Sequence, residues 1–388
     1  MTRFTFPQRG LFVPAVSATL AASVAVAAQV AAHPGPFHPS RLLSVAAEDP
    51  LATLISKHSP DFQFTVPADH YDGIYYLAMA LDPLARGEAH DLIDLAAYRY
   101  GHPLYGWLGA LFSGGNLNAM PWVFWALSVF SMAAAAAIMS VLARRLGASA
   151  WLGLLVSFMP GLIYSASTAL TEPLQVALIC AMLLAWTSQR RSWIVIALLG
   201  AALSLTKEQL VLVPVALGIS EAWHWLRHRT FDWRPIPALL TGPLVLATWL
   251  AYVRNQFTAE QSTYDDGNVG LPGTGWLQTF EMANQMRVSD FLSSQIGSTV
   301  VPALIATAVL LLLASLVGIR YHRALGLVVL FQALLVSTLG WRTLLFPHEM
   351  FRIPSVAVAM AVFALGVALS ARKEPAETGT ARAADQRA

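Results

Sequence analysis

The chain has 388 residues, of which 56% are hydrophobic and only 12% charged, with a mean hydropathy of +0.56 and a formal net charge of +2. Soluble domains carry about 25% charged residues, so the composition argues against a water-facing globule and for a polytopic membrane protein. The near-neutral charge supplies no basic field for nucleic acid. The lone cysteine, Cys180, excludes an intramolecular disulfide and any cysteine-based metal centre, and its apolar surroundings make it a packing residue.

In chain order, Arg3 and Arg9 precede an apolar run over 11–32. It exceeds the roughly 7–15-residue core of a signal peptide and is long enough to span, so it reads as an uncleaved first helix. Further apolar runs cover 119–143, 150–166, 170–187, 192–206, 208–225, 236–254, 293–319, 324–340 and 353–370. The expected fold is therefore an all-α polytopic transmembrane bundle of about ten spans over residues 1–370. Several runs are short and paired, turned by Ser165-Ala166-Ser167-Thr168 and by Thr206-Lys207-Glu208. Interrupted spans are tolerated where protein or water satisfies the backbone, which points to a cavity. The 103–112 segment is too short to cross and reads as re-entrant or interfacial. The tail over 371–388 is charged, has no apolar period and reads as a disordered cytoplasmic segment.

Lys and Arg set the orientation. With the N-terminus inside, the short inner loops and the tail hold 15 of the 24 Lys and Arg residues, among them Arg144, Arg145, Arg190, Arg191, Arg227, Arg229, Arg320 and Arg323. Both termini are then cytoplasmic, the membrane is the plasma membrane, and segments 33–118, 255–292 and 341–352 face outward.

The first outer loop, 33–118, is long enough to be functional. Apolar spacing over Tyr75–Leu84 predicts a short helix. The segment 88–98 sets Glu88, Asp91 and Asp94 against Leu92, Ile93 and Leu95, which predicts a second helix lying along the bilayer surface. Asp69, His70 and Asp72 cluster ahead of the first of these. A carboxylate there can cap the helix, act as a general base toward a substrate hydroxyl, or join the histidine in holding a divalent metal. Arg99, in Arg99-Tyr100-Gly101-His102-Pro103, suits bidentate contact with a phosphate or carboxylate; the alternative is an arginine snorkelling to head groups. Tyr105 and Trp107 read as an aromatic belt. Glu172, between two short apolar runs, is an ionisable group at membrane depth, and such groups tend to face a cavity. Lys207 and Glu208 form either a self-neutralised turn or a contact for a lipid phosphate. Arg342, His348, Glu349 and Arg352 flank Pro347 and together suit a phosphate near the membrane surface. Asp265-Asp266-Gly267-Asn268 reads as a solvated turn, with a lid as the alternative. No phosphate loop, Gly-x-Ser-x-Gly elbow or His-Glu-x-x-His motif is present.

The run Tyr71-Asp72-Gly73-Ile74-Tyr75-Tyr76-Leu77-Ala78-Met79-Ala80, followed by Tyr98-Arg99-Tyr100 and Pro103-Leu104-Tyr105, resembles the first outer loop of GT-C glycosyltransferases. The likeness is greatest to the GPI mannosyltransferase 2 family and to actinobacterial membrane proteins that share this loop. It covers roughly residues 1–225. Tyr71 stands where those mannosyltransferases have Trp, and His102-Pro103 replaces their paired aromatics. The resemblance implies a polyprenyl-phosphate sugar as donor, a lipid or glycan as acceptor, and Asp72 as the base of an inverting transfer. The reaction so implied does not require a metal. Candidate substrate contacts are Asp69, His70, Tyr75, Arg99, His102, Glu172, Lys207, Arg342, His348 and Arg352. Two other classes stay open: a transporter or lipid flippase, for which broken spans and Glu172 would line the path, and a non-catalytic membrane assembly protein.

Overall fold

The computed structural model describes residues 9–33, 35–66, 70–257, 268–286 and 291–371. Asp69, the 265–267 part of the acidic turn and the tail beyond 371 lie outside the described residues. The fold is all-helical, with two isolated β-bridges, Ala46 with Thr65 and Val269 with Leu339, and no named strand among the described residues.

The helices run as follows. α1 (Arg9–Ala32) leads into the long segment 33–118, which contains α2 (Pro50–His58), α3 (Gly73–Leu81), α4 (Ala96–Arg99) and α5 (Leu104–Ser113). The bundle continues with α6 (Met120–Arg145), α7 (Leu155–Phe158), α8 (Pro160–Ser167), α9 (Glu172–Trp186), α10 (Trp193–Thr206), α11 (Leu212–His228) and α12 (Pro235–Arg254). After α13 (Thr274–Met286) come α14 (Phe291–Tyr321), α15 (Arg323–Ser337), α16 (Trp341–Leu345), α17 (Pro347–Arg352) and α18 (Ser355–Ala371).

Every one of the ten apolar runs is helical. Among the described residues, five helical stretches are long and apolar enough to cross a membrane: Gly10–Ala32, Met120–Arg145, Pro235–Arg254, Ile296–Tyr321 and Pro347–Ala371. A sixth arises if Ala150–Phe158 and Pro160–Ser167, bent by 60°, form one span. The bend falls where Pro160 follows Met159, because a residue before proline is driven out of the helical region; Met159 has φ −87° and ψ 107°. The shorter apolar helices α9, α10 and α15 complete the bundle.

Two buried cores follow from this arrangement. One lies inside the bundle, where α6 packs against α1 and α9, α10 against α12, and α14 against α15 and α18. The other gathers Leu42, Leu43, Leu51, Ile55, Ile74, Leu77 and Met79 of the loop after α1 onto Val26 and Val30 of α1 and Met120 and Phe124 of α6. The loop is thus a folded cap with its own core, seated on the ends of the long helices.

Parts of the cap depart from the sequence expectation. The segment 88–98 is not one surface helix but a 3-10 turn over Ala89–Leu92 and the single turn α4. His90 is drawn inward to Asp82, with Nδ1 2.7 Å from Oδ2, and Leu95 adopts a left-handed φ of 46°, which ends any continuous helix. The helix expected to reach Leu84 stops at Leu81, ahead of Pro83. Tyr105 is not part of a belt: it is fully buried, with its hydroxyl 3.1 Å from Ser128 Oγ.

Two glycines permit close backbone approaches that fix the cap and the last helices. A Cβ at Gly73 would stand 2.8 Å from the Leu43 carbonyl oxygen, so α3 can lie against the 3-10 turn over Pro39–Leu43 only without a side chain there. A Cβ at Gly161 would stand 2.1 Å from the Phe351 carbonyl oxygen, so α8 and α17 meet backbone to backbone. Gly161→Ala is expected to destabilise the protein by about 1–3 kcal/mol, the usual cost of overpacking. Gly218→Ala, where the new methyl would meet only Leu239 Cδ1 at 3.7 Å, is expected to be neutral or mildly stabilising. Thermal unfolding in detergent measures both, and equal melting temperatures for the two variants would contradict the close-contact argument.

Candidate functional site

Between the cap and the bundle lies a cavity of about 450 Å³. Its walls come from the start of α3, from α4, from the α8–α9 turn, from the α10–α11 turn and from the 339–353 segment. Arg99, Lys207, Arg342 and Arg352 face it, as do Asp72, Glu172 and Glu349. Four fixed cations and three carboxylates therefore converge among the described residues, with His348 beside them.

Arg352 is the centre of the network, and its side chain is only 8% exposed. Its Nη1 donates to Asp72 Oδ2 at 2.9 Å, and its Nη2 donates to Glu349 Oε2 at 2.7 Å. Its Nε lies 3.7 Å from Glu172 Oε1. One planar guanidinium thus faces carboxylates from the cap, from its own helix and from α9. Arginine alone among the side chains offers donors in such a fork. The ring of Tyr71 lies 5.1 Å from the guanidinium carbon, and the Tyr71 hydroxyl donates to Glu349 Oε1. Burial raises the pKa of Tyr71 well above the normal tyrosine range despite the nearby Arg352 charge, so the phenol keeps its proton.

Asp72 is the residue the cap contributes. It occupies the N-cap position of α3, yet its side chain makes no capping bond. Both oxygens turn to guanidiniums instead: Oδ2 to Arg352, and Oδ1 to Arg99 Nη1 at 3.4 Å. Burial disfavours the charged carboxyl, but Arg352 and then Arg99 outweigh it and hold Asp72 well below the usual carboxylate range. Arg99 is itself fixed by stacking, its guanidinium carbon 3.6 Å from the centre of the Tyr75 ring. Tyr76 lines the same wall, its hydroxyl 3.5 Å from Thr171 Oγ1, and burial pushes its pKa up to about 12.

Lys207 enters from the α10–α11 turn. The chain breaks there into an extended conformation, φ −158° and ψ 126°, at the end of α10. Its Nζ lies 3.3 Å from His102 Nε2, and His102 Nδ1 lies 3.0 Å from Glu208 Oε2. An ammonium can only donate, so His102 Nε2 is the acceptor and the imidazole proton sits on Nδ1, facing Glu208. Burial, and next the Lys207 charge, lower the pKa of His102 against the pull of Glu208, consistent with a neutral ring. Lys207 and Glu208 both meet His102, and their opposite charges also favour each other.

Of the residues expected from sequence, Asp72, Arg99, Glu172, Lys207, Arg342, His348 and Arg352 line the cavity. Three do not. His70 points away, with Nδ1 3.0 Å from Asp49 Oδ2. Tyr75 lies behind Arg99 as its stacking partner, and His102 is buried behind Lys207. Asp69 lies outside the described residues. His70 and Asp72 thus have different partners, and among the described residues no three His, Cys, Asp or Glu side chains are grouped to hold a metal ion. Sequence reasoning did not name Tyr76, Thr171 and Gln175 as members of the polar wall, nor Tyr71 as the partner of Glu349. Glu349, grouped from sequence with Arg342, His348 and Arg352 around Pro347 but not counted among the substrate contacts, lines the cavity and pairs with Arg352 at helical spacing (i, i+3).

The chain matches no protein-family model, no curated protein and no solved structure.

Arg352→Met is expected to destabilise the protein by about 3–5 kcal/mol, because it leaves carboxylates buried without their counter-charge. A double-mutant cycle with Asp72→Asn, read by reversible unfolding in mixed micelles, is expected to show coupling of at least about 0.5 kcal/mol; additive effects would contradict the direct contact. For Asp72 the pKa is lowered on folding, so its stabilising contribution is fully present above the unfolded value of about 3.9 and is lost only as pH falls through the still lower folded value. The stability difference between the wild type and Asp72→Asn should therefore stay constant from about pH 8 to about pH 5.

Proposed function

We propose that this protein is a membrane glycosyltransferase that moves a sugar from a polyprenyl-phosphate donor to a lipid or glycan acceptor at the outer face of the plasma membrane. The observation that carries the reading is the meeting of Asp72 with four cationic side chains in one cavity beneath the cap. The resemblance of the Tyr71–Ala80 and Tyr98–Tyr105 segments to GT-C enzymes supplies the reaction class, with mannose as that family's sugar. Ten spans, both termini in the cytoplasm and the cap outside complete the proposal. The Lys and Arg distribution supports that orientation. Membrane lipids are the solvent of the bundle, and nucleic acid has no place in this reading.

In the proposed step the acceptor oxygen attacks the anomeric carbon from the face opposite the phosphate. The new C–O bond forms as the bond from carbon to phosphate oxygen breaks, and that electron pair leaves with the phosphate. The acceptor proton passes to Asp72. A phosphodiester donor carries one negative charge and the departing monoester gains a second. The charge lost at Asp72 thus reappears on the phosphate, and Arg99 and Arg352 can turn from one to the other. This exchange makes a carboxylate with a lowered pKa serviceable as a base: its guanidinium partners are drawn off as the leaving group forms. Arg342 and Lys207 add fixed positive charge.

Asp72→Asn in reconstituted protein is expected to lower transfer from a polyprenyl-phosphate sugar by at least about 100-fold, with thermal unfolding still cooperative. Full transfer by that variant would remove Asp72 from the role of base. The bent α7–α8 pair beside the cavity is the feature that favours a transporter or flippase. Lipid or sugar movement across sealed vesicles, without any transfer by the wild type and unaffected by Asp72→Asn, would establish that alternative instead.

A further inference from the structure

The cations of the cavity are not equivalent. Arg352 is bonded to Asp72 and Glu349, and Arg99 pairs with Asp72 at 3.4 Å and with Asp94 at 3.8 Å. Carboxylates of the protein answer both charges. Lys207 differs. It is half-buried, lines the cavity and forms no ion pair among the described residues. Its ammonium meets His102 Nε2 at 3.3 Å and the face of the Tyr98 ring, whose centre is 5.4 Å away.

A half-buried ammonium needs an acceptor, because an N–H taken from water and left unpaired is costly. A carboxylate in contact would supply one and cancel the charge as well, as happens around Arg352. A neutral imidazole nitrogen supplies one and leaves the charge standing. His102 is placed for that part. It is 3% exposed and does not line the cavity, so it holds Lys207 rather than a ligand. The ring centres of Tyr98 and Tyr76 lie 5.5 and 6.3 Å from that of His102, both edge to face, which leaves the imidazole little room to turn. Glu208 Oε2, 3.0 Å from Nδ1, draws the ring proton to that nitrogen and keeps Nε2 open as the acceptor.

We propose that His102 is a positioning residue for Lys207: its neutral Nε2 fixes the ammonium at the cavity wall and leaves the charge to the phosphate of the ligand. Arg99 and Arg352 have to be drawn from their carboxylates before they can serve an anion, whereas Lys207 is ready for one as the protein stands. The inference rests on the glycosyltransferase reading and adds to it the cation that takes the donor phosphate before any bond breaks. It also gives His102 a part without contact to substrate. The part is that of an acceptor, so an amide oxygen of the right reach can replace it.

The test uses the full chain in nanodiscs, with affinities for decaprenyl-phosphate mannose and for decaprenol measured by calorimetry. Wild-type protein is expected to bind the phosphate-bearing probe more tightly. Lys207→Met should weaken that probe by about 10- to 100-fold, the range of a hydrogen bond to a charged group, and leave decaprenol unchanged. His102→Phe should cause a loss of the same order in the wild-type background and none in the Lys207→Met background. His102→Gln, whose amide oxygen can stand near the position of Nε2, should recover most of the binding. No loss in His102→Phe, a loss that persists in full beside Lys207→Met, or an equal loss in His102→Gln would each overturn the role of His102. Unchanged binding by Lys207→Met would overturn it too, while leaving the glycosyltransferase reading intact. If wild-type protein binds decaprenyl-phosphate mannose no more tightly than decaprenol, that reading itself fails and takes the inference with it. Should His102→Phe not fold, His102→Asn decides: its amide reaches only as far as Nδ1, so it should show the same Lys207-dependent loss, and unchanged binding would overturn the inference.

Discussion

The Arg352 guanidinium, with Asp72, Glu349 and Glu172 around it, is the contact on which the rest of the arrangement depends. It ties the cap to α17, across 280 residues of sequence. Each carboxylate comes from a different structural setting: the N-cap of a cap helix, the short helix that carries the arginine, and the first turn of a bundle helix. A buried arginine without these partners would be strongly unfavourable, as would the carboxylates without it. The site is therefore also a joint, and the cap is positioned by charge as well as by its apolar core.

The surrounding scaffold explains how such a joint is reached. Gly161 lets α8 touch the backbone of α17, which places Arg352 against the bundle. Gly73 does the same for α3 and the turn ending at Leu43, which places Asp72 at the rim of the cap core. At the end of α10, the break at Lys207 places it at the cavity, with the buried His102 and its partner Glu208 beside it. Aromatic faces support the cations, Tyr75 under Arg99 and Tyr98 near Lys207, so long flexible side chains are held in place with little freedom left to lose on binding. A cavity built this way is polar and preorganised.

Much of this was legible from residue order alone. Asp72, Arg99, Glu172, Lys207 and Arg352 stand out because charge is expensive in so apolar a chain, and each had to face a cavity or a partner. The same logic misplaced His70, which is polar and near Asp72 in sequence but turns to Asp49, whereas Asp72, at the N-cap of α3, turns to Arg99 and Arg352. It also misread 88–98, where the pull of Asp82 on His90 overrides an acceptable amphipathic pattern. Tyr105, read as a belt residue, enters the core because the neighbouring Gly106 lets α5 press against α3.

Composition and periodicity by themselves determined that the chain is helical and membrane-embedded, where its apolar segments lie, and which charged residues are out of place in them. These are local properties, set by transfer of side chains into an apolar medium and by the helical repeat. Only the tertiary structure decided which charges meet. It showed that Asp72 faces two guanidiniums rather than a helix terminus, that Lys207 and Glu208 both meet His102, and that Glu172 stands against Arg352. Such pairings depend on distances between segments far apart in sequence, and those distances are set by backbone contacts at a few glycines and breaks that no residue pattern measures.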